Sequence, residues 1–252
     1  MSETCVRRRL GRRLVVLVMM AWALTAPAYA QTTAVIAGGP HDLSNGSAVR
    51  NANATIDGQT CIFCHTPHGG SNNIPLWNRT TPTGAAYQLY TSSTSAVTTT
   101  AAQVAASVSG ACLSCHDGTI AMDVLVDVNG LAGPSVTFNR QAATAKAAYA
   151  GAGGSTMSGG LPFLGSDLRN DHPVAIVYET ARAAAATEFV AQVVNGQRIT
   201  VGAVDPVPIY GSNGATATVE CASCHNAHNN SMGNFLRKAN TGSSMCLSCH
   251  IK

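Results

Sequence analysis

The sequence predicts a mostly irregular chain with short helices and few strands, whose core is organised by the groups it binds rather than by its own side chains. Three observations predict it. A five-residue pattern, Cys-x-x-Cys-His, occurs four times: Cys61, Cys64, His65; Cys112, Cys115, His116; Cys221, Cys224, His225; and Cys246, Cys249, His250. Small residues dominate the rest, with 5% aromatic and 11% charged residues among 252. Stretches rich in Gly, Ser, Thr and Asn interrupt the few periodic runs. Such a chain has little with which to build a protein-only core.

The motif spacing carries a chemistry. Two thiols three apart on a helical turn face the same way, and the following histidine lies under the same face. This reads as covalent attachment of a c-type haem, with both thiols on the porphyrin vinyl groups and the imidazole on the iron. Disulfides or zinc sites are the alternative in an exported protein, but neither calls for a histidine after every second cysteine. Of nine cysteines, eight lie in the motifs and the ninth, Cys5, lies in a segment expected to be removed. The expected cofactors are four covalently bound haem c groups.

The histidine inventory extends the reading. There are eight histidines, and the four outside the motif ends are His41, His68, His172 and His228. Four six-coordinate irons need four proximal and four distal ligands, so supply matches demand and all four haems read as bis-histidine. Methionine is the rival sixth ligand, and Met122, Met157, Met232 and Met245 are within reach. Met245 directly precedes Cys246, which constrains its backbone.

Residues 1–30 read as a secretory signal. Arg7, Arg8, Arg9, Arg12 and Arg13 form a basic front end. Leu14 to Leu24 is apolar and too short to span a bilayer, and Ala28-Tyr29-Ala30 is a cleavage site. The paired arginines also suit a twin-arginine signal; the general secretory route is preferred, because haem is attached after export to an unfolded chain. No second apolar span follows, so no membrane span is expected after cleavage, and the product is expected in the periplasm or outside the cell. Losing those five arginines and Glu3 turns 15 Lys+Arg and 12 Asp+Glu into 10 and 11, so the formal charge falls from +3 to −1. Nothing in that balance suggests nucleic acid.

An internal duplication sets the domains. Residues 31–150 hold His41, then Cys61-Ile62-Phe63-Cys64-His65-Thr66-Pro67-His68, then Cys112-Leu113-Ser114-Cys115-His116. Residues 151–252 hold His172, then Cys221-Ala222-Ser223-Cys224-His225-Asn226-Ala227-His228, then Cys246-Leu247-Ser248-Cys249-His250. The order is the same twice, a dihaem unit repeated within one compact tetrahaem domain. His65 and His68 lie close on one short helix, so His68 is expected to reach the iron of an adjacent haem, and His228 likewise. His41 and His172 are delivered from loops beside Pro40 and Pro173.

The remaining elements follow in order. Residues 71–99 read as loop, with Trp77, Tyr87 and Tyr90 as covers over haem edges. Thr98 to Ser109 reads as a helix ending at Gly110, with Val104 and Val108 on one face. Residues 119–128 alternate weakly and suggest a strand, and Gly151 to Gly165 a loop. Glu179 to Gln192 has alanine-rich helical character, and Thr200 to Tyr210 reads as strand or extended loop. Asp123, Asp127 and Asn129 do not match a calcium-loop spacing.

On these motifs the chain resembles multihaem c-type cytochromes with doubled CxxCH motifs, and more narrowly the tetrahaem cytochromes that polymerise into extracellular nanowires. Pro40-His41-Asp42-Leu43-Ser44, the first doubled motif, Asn170-Asp171-His172-Pro173, and Asn234-Phe235-Leu236-Arg237 before the last motif carry the resemblance. It implies an electron-transfer protein with bis-histidine haems in stacked and edge-on pairs, passing electrons to redox proteins or extracellular acceptors. It also implies head-to-tail self-association, with His41 donated in trans to a neighbouring subunit and a non-closing contact making a filament. A chain whose His41 serves its own haem would instead be a monomeric periplasmic shuttle. An enzyme, such as a multihaem oxyanion reductase, would need a five-coordinate iron, which the inventory does not leave.

Overall fold

This computed structural model describes residues 36–44, 59–70, 74, 76–83, 87–93, 98–122, 124–128, 131–132 and 156–252. The predicted signal, the boundary at 150/151, Asp123, Asn129 and residues 151–155 of the glycine-rich loop lie outside them. The chain divides between Thr32 and Thr33, and every described residue belongs to the second unit.

The first motif follows Gln59 as a 3₁₀ turn, Thr60–Phe63, that buries Phe63. Helix α1, Ala101–Ala106, opens on a capping box in which Thr100 accepts from the Gln103 N–H and the Gln103 side chain bonds back. It ends at Ser107, whose extended backbone (φ −86°, ψ 178°) starts a second helix, α2, Val108–His116. Ser107 accepts from the Ser109 N–H and so caps α2. The sequence suggests one helix stopped by Gly110. The structure carries Gly110 inside α2, because the serine cap starts a new helix ahead of it. The real stop is Gly118 at φ 72°, one residue beyond the C-cap Asp117.

The strands are short. Gln88–Leu89 (β1) pairs in parallel with Asp167–Leu168 (β4), whereas Asp127–Val128 (β2) pairs antiparallel with Leu131–Ala132 (β3). Ile176–Val177 (β5) leads into helix α3, Tyr178–Ala184, and pairs antiparallel with Thr218–Val219 (β9). Gln192–Asn195 (β6), Arg198–Val201 (β7) and Val207–Ile209 (β8) form an antiparallel sheet in that order. Gly196, at φ 59°, opens the two-residue turn between β6 and β7. Pro208 is tolerated because β8 is an edge strand. Among the described residues of 119–128 only the last two are strand, and α3 stops at Ala184 rather than running to Gln192.

Among the described residues, apolar burial is split among three small clusters. Phe63, Met122, Leu125 and Met157 form one, against Ile62 and Cys115. Tyr87, Val104, Ala105, Leu113, Leu168 and Ala175 form the second. Tyr178, Ile199, Val201, Ile209, Ala217 and Val219 form the third, against Cys249. Each cluster thus backs a cysteine motif. Clusters this small give the chain little to fold around by itself. The haem-free chain is therefore expected to be largely unfolded. Far-ultraviolet circular dichroism and protease sensitivity check this, and native-like values without haem would contradict it.

Candidate haem-binding sites

Each motif is built on a single turn of helix. In the first, third and fourth, the histidine N–H donates to the carbonyl of the first cysteine at 2.9 Å. In the second, Cys112, Cys115 and His116 form the end of α2. The third opens helix α4, Cys221–Cys224, and the fourth lies on a 3₁₀ turn, Cys246–Ser248. Cys61 and Cys246 are exposed, the other six are half-buried, and none is in a disulfide.

The duplication reappears as a shared clamp. The Asn78 N–H donates to the Cys64 carbonyl at 2.9 Å, and its Nδ2 to the Ile62 carbonyl at 2.7 Å. The Arg237 N–H donates to the Cys224 carbonyl at 2.9 Å, and its Nε to the Ala222 carbonyl at 2.7 Å. In each unit one residue from the following loop holds the doubled motif by the same two carbonyls. Position φ values of 63° at Leu76 and 57° at Phe235 turn the two loops alike.

Several imidazoles are held by one ring nitrogen. Nδ1 lies 2.7 Å from the Pro162 carbonyl in His116, 2.8 Å from Asn234 in His225, and 2.8 Å from Pro173 in His172. His41 Nδ1 is 3.4 Å from the Ala227 carbonyl, and the His65 ring bonds the Leu76 carbonyl. His68 Nδ1 lies 3.4 Å from the Asp127 carboxylate. A ring that donates Nδ1–H to a carbonyl keeps Nε2 as a free lone-pair donor, the arrangement metal-binding histidines adopt. Burial, with His116 close by, lowers the His41 pKa to about 4. Burial also lowers His65, His116 and His250. All are thereby kept in the neutral form that binds iron.

The rings also meet across the chain. His65 and His228 lie with ring centres 6.0 Å apart and planes 13° from parallel. His41 and His116 lie 6.2 Å apart with planes at 74°. Phe235 stacks on His41 at 4.1 Å. Asp42 fixes the His41 loop by accepting from the Gly38 N–H at 2.7 Å and from the Ser44 N–H at 3.0 Å. His68 and His172 are exposed, and among the described residues no ring contact brings either to a motif histidine. His172 and Cys221 do share the lining of a cavity of about 200 Å³ with Leu113 and Leu168.

Consecutive motifs are neighbours in space. Cys112 and Cys221 hydrogen-bond one another, which with burial pushes the Cys112 thiol up. Burial raises Cys64 to about 12, with Cys115 adding to the rise, and raises Cys249 to about 11, with Cys224 adding to it. The contact between the second and third motifs is locked by Glu220. This buried carboxylate accepts from Ser107 Oγ at 2.8 Å, Ser109 N–H at 3.1 Å and Thr218 Oγ1 at 2.6 Å. Ser109 Oγ in turn accepts from the Cys221 N–H at 3.0 Å.

Other placements were not legible. Arg79 is fully buried and donates to the carbonyls of Met122 (2.9 Å), Ala121 (2.8 Å) and Ser114 (3.3 Å). Its charge draws the Cys64 and Cys115 thiols downward against the larger effect of burial. Tyr87 is buried and donates to Asp117 at 2.6 Å, Trp77 sets its ring edge-on to His65 at 5.8 Å, and Tyr90 is exposed. Met122, Met157 and Met245 are buried and Met232 is exposed. Lining up Pro75-Leu76-Trp77-Asn78 with Asn234-Phe235-Leu236-Arg237 would have exposed the shared clamp.

The donor set fits a porphyrin iron. Imidazoles come in facing pairs, with Nδ1 of His41 and of His116 held by a carbonyl, beside cysteines on helical turns. Among the described residues no three histidine, cysteine or carboxylate side chains converge as a zinc centre requires. No helix of the described residues is long and apolar enough to cross a membrane. No curated protein matches the chain. Residues 214–252, which carry the third and fourth motifs, match the family model described as the doubled CXXCH motif. The match supports a c-type cytochrome of the multihaem kind, which binds haem c covalently, is typically exported and transfers electrons.

Proposed function

We propose that the chain is a tetrahaem c-type cytochrome that carries electrons through closely spaced bis-histidine haems. The observation that carries this reading is the facing of non-motif imidazoles on motif imidazoles, His228 on His65 and His41 on His116, at about 6 Å. The haem supplies one-electron chemistry at its iron. The chain's residues do the rest. Cys61, Cys64, Cys112, Cys115, Cys221, Cys224, Cys246 and Cys249 anchor the four groups. His65, His116, His225 and His250 give the proximal imidazoles, and His41, His68, His172 and His228 the distal ones. Filling both axial positions leaves no open site for a substrate, so the protein is read as a carrier and not an enzyme. The neighbouring cysteines of consecutive motifs keep the groups within tunnelling reach of one another.

Two settings suit such a carrier. The resemblance to nanowire subunits favours an extracellular filament with His41 donated in trans. The placement of His41 beside its own chain's His116 favours a periplasmic shuttle that completes its ligand set alone. Haem quantification on the purified exported protein tests the common core. Four haems per chain are expected, falling to three when both cysteines of any one motif become alanine. Fewer than four in the unaltered protein would overturn the count. Electron micrographs of the secreted fraction separate the settings: uniform filaments for the first, dispersed particles for the second.

A further inference from the structure

The two facing imidazole pairs say more than that ligands are present; they say which ligand goes where. Two imidazoles on one iron, each with an iron–nitrogen bond of about 2 Å and a ring centre about 1.1 Å behind the nitrogen, have centres about 6.3 Å apart. The His65–His228 separation of 6.0 Å and the His41–His116 separation of 6.2 Å both match. Nδ1 of His41 and of His116 is held by a backbone carbonyl, Ala227 and Pro162, and the His65 ring bonds the Leu76 carbonyl.

We infer that His228, from the second unit, is the distal ligand of the haem on Cys61 and Cys64, and that His41, from the same chain, is the distal ligand of the haem on Cys112 and Cys115. The inference rests on the tetrahaem reading above and deepens it. The first assignment crosses the duplication: the second histidine of one doubled motif completes the iron of the other. Neither unit then holds its full ligand set without its companion. His68 and His172 are left for the irons of the third and fourth motifs. The second assignment ties the N-terminal loop to α2 in cis. It is supported by Asp42, which fixes that loop, and by Phe235, which stacks on the free face of the His41 ring.

The two sites also differ in a way that can be read directly. Imidazole planes 13° apart at the first iron are nearly parallel, and planes 74° apart at the second are nearly perpendicular. In ferric low-spin haem, parallel axial planes give a rhombic paramagnetic resonance signal, and perpendicular planes a highly anisotropic signal with a large principal g value. The experiment is the oxidised spectrum of the full holoprotein and of two variants, His228→Ala and His41→Ala. His228→Ala is expected to remove rhombic intensity from one haem and replace it with high-spin signal. His41→Ala is expected to remove large-g intensity instead. Added imidazole is expected to return each variant to low spin, which separates a missing ligand from a misfolded chain.

A companion variant fixes the assignment. Replacing Cys61 and Cys64 by alanine in the His228→Ala background removes that haem, and the high-spin signal is expected to disappear with it. The same is expected for Cys112 and Cys115 in the His41→Ala background. Persistence of the high-spin signal in either companion would overturn the pairing. Four low-spin haems retained in His41→Ala or His228→Ala would overturn it too. A haem-free wild-type protein would overturn the tetrahaem reading itself, and the pairing with it.

Discussion

Replacement of Glu220 by alanine is expected to destabilise the holoprotein by about 3–5 kcal/mol. Glu220 is 2% exposed, and it accepts from Ser107, Ser109 and Thr218. Hydrogen bonds to a charged acceptor each contribute about 1.5–3 kcal/mol, though not additively. Removal leaves the Ser109 N–H to Ser107 Oγ and the Ser107 hydroxyl to the Val104 carbonyl, and takes the carboxylate from the buried Ser109 hydroxyl at the start of α2. It also releases Ser109 Oγ, which holds the Cys221 N–H. Damage should therefore concentrate where the second and third motifs touch. Glu220→Gln keeps the volume but turns a donor toward donors, so an intermediate loss is expected. Denaturant unfolding of the holoprotein measures both. A loss below about 1 kcal/mol for the alanine variant would mean that the carboxylate does not hold this contact.

Replacement of Arg79 by methionine is expected to have a second large effect, on stability and on potential together. Three carbonyls, of Met122, Ala121 and Ser114, are satisfied by its guanidinium. The Ala121 carbonyl keeps the Val124 N–H at 3.2 Å, but removing the guanidinium from the Met122 and Ser114 carbonyls in a buried site costs about 3 kcal/mol in all. The charge matters separately. A buried cation near Cys64 and Cys115 disfavours the oxidised, more positive state of any iron held there. Its removal is expected to lower the potentials of the first two haems by on the order of tens of millivolts. Arg79→Lys, which keeps the charge but loses the planar fork, is expected to recover potential more than stability. Spectroelectrochemical titration checks this, and unchanged potentials in the methionine variant would contradict it.

The motifs were the most legible part of the chain. Cysteines and histidine at fixed local spacing need only one turn of backbone, and the structure places each motif on such a turn. The duplication was legible for the same reason, and it returns as the paired clamps of Asn78 and Arg237. Long-range pairing was not legible. A three-residue reach says that His228 serves a neighbouring haem, but nothing local says that the neighbour faces His65, 163 positions earlier in the numbering. The helix at 98–109 was displaced because a serine cap competes with glycine as punctuation, and Ser107 starts α2 before Gly110 can stop α1. The hairpin of β6 and β7 left a signal that the alanine-rich run before it obscured: Asn195-Gly196 between Val193-Val194 and Ile199. Arg79 and Glu220 were invisible because a buried charge is recognised by its partners, and apart from Thr218 those named here lie 35 to 113 positions away.

The account rests on two nitrogen ligands at every iron. Near-infrared magnetic circular dichroism of the oxidised holoprotein, with haem quantified in the same sample, tests this most directly, because the charge-transfer band reports the axial pair. The account predicts that the whole near-infrared intensity, for four haems per chain, falls at the position of bis-imidazole ligation. A band from methionine–histidine ligation, or a high-spin band from an iron with an open position, would contradict it.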